Sequence, residues 1–201
     1  KRISRINNSL QQALAAAKRV FAMIDVDVMV KDAPDAVPLD RFEKDIRFCD
    51  VTFAYGDKTV LEGIDLTVEQ GRVVALVGSS GAGKTTLVNL LMRFYDVNSG
   101  QILLDGIDIR RMSRHSLRSR IRMVLQDTWL FGATIADNIV YGHPGATEDD
   151  VIEAARAAHA DDVIRTLPEG YRTVLGDGGS NLSAGERQLI TIARAFAARP
   201  P

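Results

Sequence analysis

Cysteine is all but missing from these 201 residues: Cys49 stands alone, so no internal disulfide can form. That usage suits a reducing compartment. Histidine is nearly as sparse, and His115, His143 and His159 lie far apart without the spacing of metal ligands, so no structural metal is expected. Basic excess is lacking too, with 25 Lys plus Arg against 26 Asp plus Glu and a net charge of -1. A protein that grips a nucleic-acid backbone would carry more positive charge, so no nucleic-acid partner is expected and any phosphate binding must be local. No uninterrupted apolar run approaches the roughly 18 residues of a membrane span, and no charged-then-apolar signal segment opens the chain. An Asn-Lys-x-Asp guanine-reading sequence is also missing, which argues against a GTPase switch. What is present is 46% apolar content, enough over this length for one substantial core.

Ile3, Ile6, Leu10, Ala13, Ala17, Val20 and Ile24 recur at steps of three and four, which predicts a helix over about 3–24 with an ordinary packing stripe. Residues 25–44 turn acidic and contain Pro34 and Pro38, so they read as a linker, with the domain proper starting near Asp45. Beyond it, Ile46 to Phe48, Val51 to Phe53 and Leu66 to Val68 favour strands. The fully apolar run Val73 to Val77 predicts a buried strand, and Ile121 to Leu125 a further one. Gln101 to Ile109 reads as a hairpin, because its central Asp105-Gly106 suits the positive backbone angles of a two-residue turn. Thr147 before Glu148, Asp149 and Asp150 marks a capped, acidic helix start that continues through Val151, Ala154, Ala155 and Ala158.

Gly78-Ser79-Ser80-Gly81-Ala82-Gly83-Lys84-Thr85 fits G-x-x-x-x-G-K-[ST], after the run Val73 to Val77 and before the helical spacing Leu87, Leu90, Leu91, Phe94. Glycines let backbone N–H groups turn toward phosphate oxygens, and the positive end of the following helix adds to the attraction. Lys84 would then reach the β- and γ-phosphates and the Thr85 hydroxyl would ligate Mg²⁺, with Thr86 ending the phosphate-binding run. Further on, Asn181 to Gln188 precedes the helical pattern Leu189, Ile192, Ala193, Phe196. Taken alone, Ser183 and Glu186 make a capping box.

With the P-loop about one hundred residues earlier, that second segment resembles the signature motif of ATP-binding-cassette proteins, usually Leu-Ser-Gly-Gly-Gln. The resemblance implies that Ser183, Ala184, Gly185 and Glu186 contact in trans an ATP held by a partner's P-loop, two cassettes sandwiching two nucleotides. Ala184 and Glu186 depart from the pattern: alanine lacks glycine's freedom at positive φ, and a carboxylate beside a polyanion weakens binding unless it turns back into the cap. Tyr55 resembles the aromatic residue that stacks on adenine, and Gln126 the Q-loop glutamine that senses Mg²⁺ and the attacking water while touching a membrane domain. Phe94-Tyr95-Asp96 through Ile109, and Leu130-Phe131 through Gly142, look like exporter-type cassettes.

The resemblance therefore implies an α/β P-loop NTPase with a RecA-like core, an antiparallel β subdomain and a helical subdomain carrying the signature. Residues 1–44 would be the end of the last transmembrane or connecting helix plus linker, and 45–201 a nucleotide-binding domain lacking its second nucleotide-site strand. It further implies ATP and Mg²⁺ as ligands, a second nucleotide-binding domain and a transmembrane domain as partners, and a place at the cytoplasmic face of a membrane, that of a bacterial inner membrane, within a multi-pass protein. Lys84 and Gln126 would serve catalysis. The apolar strand ending in Asp-Glu that supplies the family's metal-holding Asp and water-polarising Glu is not found in these residues, and without it strands beside it should be left unpaired. Ile102-Leu103-Leu104-Asp105 imitates such a strand, but a hairpin turn accounts for it more economically. Neither Lys1 nor Pro200-Pro201 looks like a natural end, so the chain reads as part of something longer, inactive alone. A non-transport ATPase of the same superfamily, in DNA repair or translation, and a nucleotide-binding fragment without turnover are the alternative readings.

Overall fold

A computed structural model describes residues 2–26, 30–39, 41–141, 143 and 145–198. Gly142 and Arg199 to Pro201, noted above, lie outside the described residues, as do the side chains of Ile3 and Ile6. Helix α1 spans Arg2–Ile24, as the spacing predicts. The described part of its stripe is not buried, contrary to expectation: Leu10, Val20 and Ile24 are all more than half exposed. Periodicity marks a face able to be buried, and no described element of this chain lies against it.

The expected linker is a fitted strap. Pro34 opens a tight turn closed by the Ala36 N–H on the Ala33 carbonyl at 3.0 Å, using its fixed φ where a turn wants it. Val37 then bridges Met112, donating to Arg111 O at 2.9 Å and accepting from Ser113 N at 3.0 Å. Val30 and Leu39 are buried, and the Ser116 hydroxyl both accepts from Leu39 N and donates to Leu39 O.

Strands β1 (Asp45–Tyr55), β2 (Lys58–Glu69), β3 (Ser99–Leu104) and β4 (Ile107–Asp108) form one antiparallel sheet in the order β2-β1-β3-β4. Alternation turns Ile102 and Leu104 of β3 inward, and register shifts between Phe48 and Phe53 bring both of these β1 residues to the same side; with Leu61 of β2 they meet Leu90 of helix α2 (Lys84–Leu91). The β3–β4 turn is the expected one, with Asp105 at φ 53 and Gly106 at φ 82. Asp105 also does more than turn the chain. Its carboxylate accepts the backbone N–H groups of Glu43, Lys44 and Asp45 at 2.8, 2.7 and 3.1 Å. A carboxylate so engaged orders the entry to β1 and is not a metal ligand in waiting.

Neither Val73 to Val77 nor Ile121 to Leu125 is a strand, and this corrects the sequence reading. Val73 and Val77 are almost fully exposed and Leu125 is half exposed. Both have strand composition, but a strand is held by its neighbours' N–H and C=O groups, and no described strand pairs with either segment.

Helix α3 (Arg114–Arg120) lies between the strap and the second of these segments. A second core gathers helices α4 (Ile135–Val140), α5 (Glu148–Ala157), α6 (Asp161–Thr166) and α7 (Ala184–Ala197) around Leu130, Ile139, Ala155, Ile164 and Ala193. Three of these helices begin with a capping box: Thr134 with Asp137, Thr147 with Asp150, and Ser183 with Glu186.

Asp161 anchors this second body, accepting from the Tyr171 hydroxyl at 2.7 Å and from Arg165 Nε at 2.9 Å. The Tyr171 hydrogen bond, followed by those of the arginines, holds the carboxyl below its usual range against an opposing effect of burial. Burial and the same bond push the Tyr171 phenol well above its usual value. A carboxylate with a depressed folded pKa adds stability that is full above its unfolded value, about 3.9, and is lost as pH falls through the lower folded value. The phenol's contribution is full below about pH 10 and is lost as pH rises toward its folded value. Asp161→Asn is expected to lower stability at neutral pH by about 1–3 kcal/mol and to flatten the acid limb. Denaturant midpoints from pH 3 to 7 for both forms check this, and parallel acid limbs would refute it.

Candidate nucleotide-binding site

Between Val77 and α2 the chain makes an irregular loop with Gly81 at φ 84 and Gly83 at φ 83. Gly83 is the position where only glycine fits: a Cβ there would come within 2.6 Å of Leu61 Cδ2, and the angle is left-handed as well. Packing on β2 thus fixes where α2 starts. The first intrahelical bond runs from Leu87 N to Gly83 O at 3.0 Å, so the N–H groups of Lys84, Thr85 and Thr86 are left without helical partners. Together with the helix dipole they make a place for anionic oxygen. Lys84 Nζ reaches back over the loop and donates to the carbonyls of Gly78 and Ser79, each at 2.8 Å. Its charge is therefore held at the mouth of the loop, where Ser80 and Ala82 are exposed.

Thr85 and Thr86 part company at the first turn. Thr85 is exposed, whereas Thr86 is 7% exposed and faces the core, so any ligand contact from Thr86 comes from its backbone N–H. Lys84, Thr85 and Gln126 line one open cleft of about 720 Å³, walled by Val74, Leu76 and Val124. The residues fit a magnesium-bound triphosphate: Thr85 Oγ and the Gln126 amide oxygen are hard neutral donors of the kind Mg²⁺ takes beside phosphate oxygens, and Lys84 balances charge. Among the described residues no three His, Cys, Asp or Glu side chains gather as a metal site of their own.

Tyr55 ends β1 opposite Lys58 and is 39% exposed. Gly83 packs on Val60, two residues along β2 from Lys58, or about 7 Å of strand, so the aromatic residue and the phosphate loop share one end of the hairpin. Ser183 to Glu186 do not line the Lys84 cleft. They form the start of α7, where Ser183 N donates to Glu186 Oε2 at 2.6 Å and Glu186 N to Ser183 Oγ at 3.3 Å. Hydrogen bonds from the Ser183 side chain and then its backbone lower the Glu186 carboxyl below its usual range. Its charge is thus engaged by the cap. Ala184 is the first helical residue and has no positive φ, so alanine costs no backbone strain there.

The ABC transporter family model matches residues 61–201, more than half of the chain. This chain belongs to the ABC transporter family. Its α/β fold is that of an ABC nucleotide-binding domain, a P-loop NTPase with an antiparallel sheet and a helical body. The solved structure of a bacterial Atm1-family ABC exporter with ATP bound is similar with a TM-score of 0.89 and 42% identity, over 95% of this chain and 34% of that one. An ATP-dependent lipid A-core flippase of Syntrophus aciditrophicus is 53% identical over the whole of this chain and 33% of its own length. A fatty acid ABC transporter ATP-binding/permease protein of Mycobacterium bovis is 57% identical over 96% of this chain and 30% of its own length. The chain thus spans about a third of the curated relatives it matches, and that third is the ATP-binding domain of the family.

Two arginines that hold this ABC domain together escape sequence reading. Arg194 of α7 donates to Asn138 O, Asn138 Oδ1 and Trp129 O at 2.8, 3.0 and 3.2 Å and lies over the Phe131 and Tyr141 rings. It ties the signature helix to the segment that leaves Gln126, and burial lowers its pKa from the ordinary value. Arg93, 2% exposed, holds Met112 O, Lys31 O and Asp96 at 3.0 Å each. Arginine normally reads as surface, and no local pattern marks partners 19 to 65 residues away.

Proposed function

We propose that the chain is the ATP-binding and ATP-hydrolysing cassette of an exporter, working as one of a pair at the cytoplasmic face of a membrane, with its membrane domain in the same polypeptide. The convergence of Lys84, Thr85 and Gln126 on one cleft carries the reading. Lys84 would balance charge on the β- and γ-phosphates, the free N–H groups at the α2 start would cradle them, and Thr85 and Gln126 would hold Mg²⁺, which when bound would supply further charge neutralisation to phosphoryl transfer. Water activation falls to a carboxylate that these residues do not include. The exporter relatives, a lipid A-core flippase and a fatty acid transporter among them, support export but leave the cargo open, because cargo is chosen by membrane helices.

The paired arrangement is supported by the start of α7, which is exposed and presents Ser183 and Gly185 outward. A partner's phosphate could approach the backbone there only where no Cβ intervenes. A Cβ at Gly185 meets nothing within 4 Å inside the chain. Gly185→Ala is therefore expected to leave thermal stability unchanged or raise it by up to about 1 kcal/mol, since alanine is the better helix former. ATP turnover of the full-length protein is expected to fall by about 10- to 100-fold through misplacement of the opposing γ-phosphate. Full turnover in this variant would sink the in-trans assignment.

A further inference from the structure

We infer that Tyr95 is a positioning residue for the base-binding ring of Tyr55, and that it ties base to phosphate recognition through the connector leaving α2; this rests on reading Tyr55 as the adenine platform. The Tyr55 ring has two aromatic neighbours, both nearly perpendicular to it. Phe53 lies at 4.8 Å with an interplanar angle of 88°, and Tyr95 at 5.1 Å with 89°. Phe53 and Tyr95 also touch each other at 5.6 Å, closing a three-ring cluster. Edge-to-face contacts of this kind fix ring orientation as well as position. Phe53 is buried in the sheet core, so it is a fixed wall. Tyr95 is half-buried and arrives from another part of the chain, so it is the contact that can set Tyr55 relative to the loop.

The connector that carries Tyr95 is unusually well fixed. Helix α2 ends in two bonds, Arg93 N to Leu90 O at 2.9 Å and Phe94 N to Asn89 O at 3.0 Å, with Arg93 in the left-handed region at φ 51. An arginine is strained there as glycine would not be, and the buried bonds of its guanidinium offset that strain. On the far side of Tyr95, Asn98 N donates to Thr52 O at 3.0 Å and Asn98 Oδ1 accepts from Ala54 N at 2.8 Å. Tyr95 is thus clamped between the end of the phosphate-loop helix and the strand that ends in Tyr55. A ring held this way fixes the distance from base to phosphates.

The test measures MgATP and inorganic triphosphate binding to the full-length protein, for Tyr55→Ala, Tyr95→Ala, Tyr95→Leu and Tyr95→Phe. Tyr95→Ala and Tyr95→Leu are expected to weaken ATP about 3- to 10-fold, the range of an aromatic pair contact, with triphosphate within about 2-fold of wild type. Tyr95→Phe should restore ATP binding. Triphosphate binding also reports an intact phosphate loop, and Tyr95→Leu keeps bulk without a ring, so failure of the alanine variant to fold does not decide the matter. Unchanged ATP affinity in Tyr95→Leu while Tyr55→Ala selectively loses ATP would overturn the role of Tyr95 alone. Equal losses of both ligands in Tyr55→Ala would overturn the platform itself, and the inference with it.

Discussion

Replacing Lys84 by alanine in the full-length protein is expected to cut ATP turnover by at least about 100-fold, the scale on which a positioned donor to a developing charge matters. The structure explains why no other residue takes over. Lys84 Nζ is fixed by the carbonyls of Gly78 and Ser79, and Arg122, the other cation lining the cleft, comes from the Gln126 side and donates to the Arg118 and Ile121 carbonyls. Stability should barely change, because both lysine bonds lie within one exposed loop. Phosphate release and a thermal midpoint measured together check the split, and unchanged affinity with unchanged rate would remove the phosphate-loop assignment.

The second large effect concerns the 201-residue chain by itself, which is expected to release no phosphate above background even with Mg²⁺ and saturating ATP. A general base must lie within hydrogen-bond reach of the attacking water. Asp105, whose apolar strand lead-in imitates that of such a base, is committed to three backbone N–H groups. Among the described residues Asp127 is the one carboxylate that lines the cleft, on the irregular segment that follows Gln126. Comparing the chain with the full-length protein under the same conditions tests this. Turnover by the chain that depends on Lys84 would falsify the claim and make Asp127 the residue to replace next.

What could be read from the sequence was local backbone geometry. Asp105-Gly106 announced a turn that any pair of strands could use, and Ser183 with Glu186 announced a cap that needs only four residues. The cap also answered what the sequence left open, namely where the Glu186 charge goes and whether Ala184 is strained. Val73 to Val77 misled because composition states a preference for the sheet interior, while the ladder itself belongs to neighbours. The stripe of α1 misled in the same way. Arg93, Arg194 and the backbone contacts of Asp105 were illegible because their partners, Asp96 apart, lie 19 to 65 residues away and are mostly main-chain atoms.

The strap between α1 and β1 joins the body at several fixed points: Lys31 and Asp32 on Arg93, Asp32 on Arg114, Val37 on Met112 and Leu39 on Ser116. A loose tether would absorb a pull on α1 by uncoiling. The described residues of this one are pinned in turn from Lys31 to Leu39, and Arg93 lies two residues beyond the end of α2. A pull that reaches Lys31 and Asp32 is therefore met at Arg93, just behind the helix that follows the phosphate loop, before it can loosen the entry to β1.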